Sequence, residues 1–213
     1  MRHAEVAYFD DGGRPLPPDE VPLTQRGSEQ AEAAALVLAG AGIDRVITSG
    51  LRRAVETARI VAPEREPEVW PDLREIRSGR LADLPSEEIE EAFLGAFRGR
   101  VPLEARFLGG ETMGSLVERV TSALERLVAD RDWHTALLVL HGGVNRAILS
   151  FALTGERCFL GGIEQAPACI NIVDVGRDWV VRVVNYAPYD PLHAANRLTT
   201  MEELYLQYRR RER

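Results

Sequence analysis

Lysine is absent, and all 26 basic residues of the 213-residue chain are arginine. That excludes lysine Schiff-base chemistry, lysine-anchored pyridoxal phosphate and a Walker A phosphate loop, each of which needs a lysine amine. Cysteine is scarce. The two thiols, Cys158 and Cys169, sit in apolar stretches with no CxxC spacing, which predicts buried free thiols and a reducing compartment. The four histidines show no metal-ligand spacing, so neither a metal site nor a cofactor is expected. No apolar run reaches membrane-spanning length and nothing at the start reads as a signal peptide, which makes the cytoplasm the expected location. Positive charge is not in excess either. A net charge of -7 argues against nucleic acid or an anionic membrane as partner, so an anionic ligand would have to be drawn in by a local arginine cluster. A basic set made only of arginine is associated with GC-rich bacterial genomes.

With 45% hydrophobic and 28% charged residues, the chain has an ordinary globular balance. Its length suits a single domain over residues 1–213. Asp10 to Pro22 carries the turn-forming residues of a loop. Thr24 is placed to cap a helix that Gly40 and Gly42 end. Arg45 to Ser49 is a β-branched run leading into a helix from Arg52 to Val61, which Pro63 stops. Glu68 to Pro71 suits a brief strand. Ser86 to Phe97 suits a helix with an acidic first turn, within a helical insertion over residues 82–110. Leu116, Val120, Leu124 and Leu127 mark a helix from Thr112 to Ala129.

Thr135 to Leu140 is a continuous apolar run of the kind found in buried central strands. His141-Gly142-Gly143 breaks it, and a helix from Val144 to Leu153 follows. Ala168 to Val175 and Trp179 to Tyr186 flank Gly176-Arg177-Asp178 as a hairpin. Thr199-x-x-Glu202 is a capping box opening a C-terminal helical tail, residues 199–213, that ends in the basic run Arg209-Arg210-Arg211. Alternating strands and helices predict a three-layer α/β/α fold around a mostly parallel mixed sheet with one antiparallel strand.

In such sheets ligands bind beyond the carboxyl ends of the strands. His3 and His141 occupy such positions, and the Ser49-Gly50 turn brings arginines toward the same crevice. Histidine has an ordinary pKa of about 6.5, so it can be a neutral nucleophile near neutral pH, and nearby arginines favour that form. Arginine forks match phosphate oxygens, and a pocketed carboxyl can give and take a proton.

Five stretches carry a resemblance: Arg2-His3-Ala4-Glu5, Leu51-Arg52-Arg53-Ala54-x-x-Thr57-Ala58, Leu73-Arg74-Glu75-Ile76, Gly109-Gly110-Glu111-Thr112 and Leu140-His141-Gly142-Gly143. Together they resemble the histidine phosphatase (phosphoglycerate mutase-like) superfamily, over Met1 to about His193. The resemblance implies a phosphoglycerate mutase-like fold and metal-independent hydrolysis of a phosphate monoester. It makes His3 the nucleophile that becomes phosphorylated, Arg2 and Arg53 (not Arg52) the phosphate clamps, Glu75 the general acid/base and His141 a ligand of the transferring group. Gly142 and Gly143 join the phosphate-binding set, because the N-terminus of the helix that follows could add N–H donors. Glu111 is the main rival for the acid. Leu23-Thr24-x-x-Gly27-x-x-Gln30-Ala31 also matches, without an evident role. Ala4 stands where the family has glycine. Val6 and Phe9 replace a hydroxyl residue and an asparagine.

A small phosphorylated metabolite is the expected partner, and a homodimer is compatible with this reading. Two other functions remain open. One is a phosphoglycerate-type mutase, against which the shortness of residues 82–109 counts. The other is a non-catalytic module that binds a phosphorylated ligand or protein.

Overall fold

The computed structural model describes residues 1–213 apart from 11–13, 15, 81–83, 86, 196–197 and 210–213. Ser86, parts of the 10–22 loop and of the 82–110 insertion, and Arg210-Arg211 of the basic run therefore lie outside the described residues. The elements in chain order are α1 (Gln25–Leu38), β1 (Arg45–Thr48), α2 (Arg52–Val61), β2 (Glu68–Val69), α3 (Ile89–Leu94), β3 (Arg100–Val101), α4 (Met113–Ala129), β4 (Ala136–Val139), α5 (Gly142–Thr154), β5 (Phe159–Leu160), β6 (Ile170–Val175), β7 (Trp179–Tyr186) and α6 (Thr200–Arg209). Helix α5 begins two residues earlier than its apolar pattern suggested, because both glycines of the His141-Gly142-Gly143 turn take helical conformation.

β1 lies at the centre of a parallel sheet ordered β2-β1-β4, with Ile47 opposite Glu68 and Leu138. Side chains alternate across it. Val46, Leu137 and Val139 meet Ala31, Ala34, Ala54 and Ala58 of α1 and α2 on one face. Ile47, with Leu138 partly buried beside it, meets Leu116, Val120 and Leu124 of α4 and Val144 and Ala147 of α5 on the other. This is the expected three-layer α/β/α arrangement. The alanines of α1 and α2 let those helices lie close to the sheet, whereas larger side chains fill the α4–α5 side.

The antiparallel pair β6–β7 exists as expected, but it is not continuous with the parallel sheet. Met1 to His3 joins the two. The His3 N–H donates to Leu140 O at 2.9 Å and the Leu140 N–H to Met1 O at 2.9 Å, while the Arg2 N–H donates to Cys169 O at 3.1 Å. These residues reach only the ends of β4 and β6. Farther along, the two strand edges diverge around a largely apolar cavity of about 520 Å³ lined by Met1, Leu137, Leu138, Ile170 and Ile172. The catalytic candidates do not line it. Among the described residues no helix is long and apolar enough to cross a membrane, and both cysteines are buried free thiols.

Candidate active site

Three strand ends deliver the centre of the site. His3 ends the Met1–His3 segment, Ser49 follows β1, and His141 lies just beyond β4. His3 is 2% exposed. Its Nδ1 lies 2.7 Å from the Ala4 carbonyl, which can only accept, so Nδ1 carries the proton. Arg53 Nε donates to His3 Nε2 at 3.2 Å, which again requires a lone pair on Nε2. Burial, and then the charges of Arg2 and Arg53, push the His3 pKa well below its ordinary value despite the Ala4 bond. The imidazole is neutral near neutral pH, with its nucleophilic nitrogen turned to the arginine.

The His141 ring lies 5.2 Å from that of His3 and is fully buried. Its Nε2 is 2.7 Å from Ser49 Oγ. That hydroxyl accepts the Leu51 N–H at 3.2 Å, and when it donates its own proton to Nε2 the His141 proton sits on Nδ1. Burial, then His3, Arg53 and Arg2, lower the His141 pKa well below its usual value. His141 Nδ1 and Arg2 Nε are buried polar atoms that meet no partner among the described residues. Buried polar groups of this kind are costly unless something binds them.

Arg2 and Arg53 are 8% and 3% exposed, while neighbouring Arg52 points outward to Glu56. Position on α2 separates the two: the buried face carries Arg53, Ala54, Thr57 and Ala58. Thr57 ties the two motifs together, since its Oγ accepts the Ala4 N–H at 3.0 Å and donates to Arg53 O at 2.7 Å. The Thr24 motif also acquires a role. A Cβ on Gly27 would stand 2.2 Å from Glu5 O, and Gln30 Oε1 accepts the Glu5 N–H at 3.0 Å. Helix α1, capped by Thr24 as expected, thereby holds the loop that leaves His3.

Glu75 follows a short 3₁₀ turn, Pro71–Leu73, between the buried anchors Leu73 and Ile76. The point at which a Cβ on Gly142 would stand is 3.8 Å from both Glu75 Oε2 and Arg2 Nε, so the carboxylate and the clamp share one corner. The Gly143 N–H was expected to face the phosphate. In this structure it donates to Glu75 Oε1 and Oε2 at 3.1 and 3.2 Å, so the start of α5 holds that carboxylate. Gly142 remains a phosphate-binding candidate.

Glu111 is not equivalent to Glu75. Its carboxylate accepts Arg119 Nε at 2.8 Å and the Arg77 N–H at 3.0 Å. Burial alone would raise its pKa, but these bonds outweigh it and hold the group below its ordinary value. Arg119 also donates to the carbonyls of Asp72, Arg74 and Glu75 at 2.6, 2.7 and 3.3 Å. The pair is a clasp on the segment carrying Glu75. Arg119 shows no sequence signal beyond its place on α4. Ser49 lay within a recognised stretch, yet its bond to His141 is a contact across 92 residues that spacing does not reveal.

Two imidazoles, two buried guanidinium groups and a carboxylate are thus brought together at the ends of β1, β4 and the Met1–His3 segment. The chain belongs to the histidine phosphatase superfamily (branch 1), whose model matches residues 1–186. It is similar to an adenosylcobalamin/alpha-ribazole phosphatase of Salmonella typhimurium, 30% identical over 82% of this chain and 88% of that protein. It is also similar to phosphoserine phosphatase 1 of Hydrogenobacter thermophilus, 32% identical over 73% and 74% of the two chains. A solved mycobacterial glucosyl-3-phosphoglycerate phosphatase shares the fold, with a TM-score of 0.71 at 24% identity over 86% of this chain and 96% of that one.

Proposed function

We propose that this protein hydrolyses a small phosphate monoester through a phosphohistidine on His3. The observation that carries the reading is the pair of buried nitrogens with no partner among the described residues, Arg2 Nε and His141 Nδ1, beside a histidine whose lone pair is on Nε2, where Arg53 meets it. Arg53 gives up its bond to Nε2 and turns to a phosphoryl oxygen. Nε2 attacks phosphorus in line, the P–O bond to the leaving group breaks, and Glu75 delivers its proton to the departing oxygen. Charge on the equatorial oxygens is met by Arg2, Arg53 and His141. In the second half Glu75 takes a proton from water, the new hydroxide oxygen bonds to phosphorus, and the P–N bond breaks to restore His3.

Phosphatases among the relatives support hydrolysis. The substrate is a small phosphorylated metabolite, in keeping with the phosphatases among the relatives. The mutase reading keeps one support, a probable phosphoglycerate mutase of Serratia proteamaculans that is 33% identical over 72% of this chain and 73% of that protein. The test is phosphate release from an aryl phosphate and a metabolite panel in EDTA, for wild type and His3→Ala, with 3-phosphoglycerate scored for isomer against free phosphate. EDTA-resistant release lost in His3→Ala is the expected result. Isomer without release would establish the mutase, and equal behaviour of both proteins would leave the binding module.

A further inference from the structure

Helix α6, Thr200–Arg209, lies beyond the residues matched by the family model, yet its first residue touches the phosphate clamp. The capping box fixes where the helix starts: Thr199 N–H donates to Glu202 Oε2 at 2.7 Å, and the Glu202 N–H donates to Thr199 Oγ1 at 3.2 Å. That start places Thr200 against Arg2. Thr200 Oγ1 accepts from Arg2 Nη1 at 2.8 Å and gives its own proton to Glu164 Oε1 at 3.1 Å. The other oxygen of Glu164 accepts Arg146 Nη2 at 3.2 Å. Arg146 is 4% exposed, donates through Nε to Gly161 O at 3.1 Å, and stacks on Phe97. At the far end of α6, Tyr205 and Tyr208 pack on Phe93 of α3, and the Tyr205 hydroxyl donates to Glu90 at 2.9 Å.

Arg2 Nη1 thus spends both protons on fixed acceptors, the Gln165 carbonyl and Thr200 Oγ1. A guanidinium is planar, so pinning Nη1 at two points also sets the direction of Nε–H, a buried donor with no partner among the described residues. We infer that the C-terminal helix is a working part of the active site, in which Thr200 is the positioning residue that aims Arg2 Nε at a phosphoryl oxygen. The inference rests on the phosphatase reading for the identity of that oxygen. Glu164 acts behind Thr200, orienting the hydroxyl so that it accepts from Arg2.

The experiment compares wild type, Thr200→Val, Thr200→Ser and Glu164→Gln by calorimetric binding of inorganic phosphate, by kcat and KM on the best substrate, and by melting. Valine matches threonine in shape and removes the acceptor. Thr200→Val should weaken phosphate binding and lower kcat/KM by about 5- to 20-fold, as expected when a charged donor loses one of its acceptors and its aim. Thr200→Ser should return both to near wild type, which a purely structural role for the methyl group would not do. Wild-type phosphate affinity in Thr200→Val would overturn the inference even with hydrolysis established. So would a serine variant no better than valine. Phosphate binding that weakens as stated in a wild type that hydrolyses nothing would uphold the inference and remove the phosphatase reading instead.

Discussion

Replacing Gly143 by alanine separates the acid's position from the protein's stability. A Cβ at this residue would stand 2.6 Å from Glu75 Oε1 and 3.5 Å from both the Glu75 carboxyl carbon and Ile76 Cγ2. The carboxylate must retreat by about 0.8 Å to reach ordinary contact distance, and the Gly143 N–H bond to Oε1, now 3.1 Å, lengthens with it. Misplacing a reacting group by about 1 Å costs about 10²-fold in rate, so kcat should fall by roughly 10- to 100-fold. Stability should move the other way. Gly143 lies in the first turn of α5 without a positive φ, and alanine is favoured over glycine in helix by up to about 1 kcal/mol. The assay pairs steady-state kinetics with urea unfolding, and adds a burst measurement of phosphohistidine formation on a substrate with a good leaving group. Such a substrate needs little proton donation, so its first step should be nearly spared. A variant with wild-type kcat on a poor leaving group would refute Glu75 as the acid set by α5. A variant that loses stability in step with activity would refute the claim that only the carboxylate moves.

Arg53→Ala should lower kcat/KM by about 10²- to 10³-fold, the usual cost of one transition-state donor, whereas exposed Arg52→Ala should stay within about twofold; steady-state assays of both check the assignment. The two buried imidazoles make stability pH-dependent. Their folded pKa values lie well below the unfolded value, so the unfolded chain binds more protons below pH ~6.5, and their contribution is full above that pH and lost as pH falls. Between about pH 6.5 and 5.5 they should together remove about 2 kcal/mol, and the His3→Asn, His141→Asn double variant should lose correspondingly less in urea titrations at the two pH values. Glu111→Gln should cost about 2–3 kcal/mol by leaving Arg119 half-matched, and should lower kcat several-fold with KM little changed because the 72–77 segment loosens; unaltered kcat would show that the clasp does not set Glu75.

Much of this molecule was legible one residue type at a time. The continuous apolar run before His141, the β-branched run before Ser49 and the amphipathic spacing of α4 gave strands and helices close to those observed, because periodic burial is written locally. Both capping positions, Thr24 and Thr199, also held, since a cap involves only residues three apart. The chemical inventory was equally local. An all-arginine cation set and the two strand-end histidines already pointed to an anion held without lysine.

Sequence spacing could not rank Glu75 over Glu111, as both are single carboxylates in charged, glycine-bearing stretches. Only the folded chain shows that Glu111 is bonded to Arg119 and Arg77 while Glu75 meets α5 beside Arg2. Spacing also could not foresee that the Gly143 N–H is taken by Glu75, or that the hairpin meets the parallel sheet only through Met1 to His3. The reach of Thr200 to Arg2 spans 198 residues. Such contacts carry no periodicity, because they depend on where whole elements come to rest and not on the chain between them. The sequence alone settled which groups were available and which elements carried them. The tertiary structure decided which partner each group meets, because those partners arrive from elements far apart in the chain.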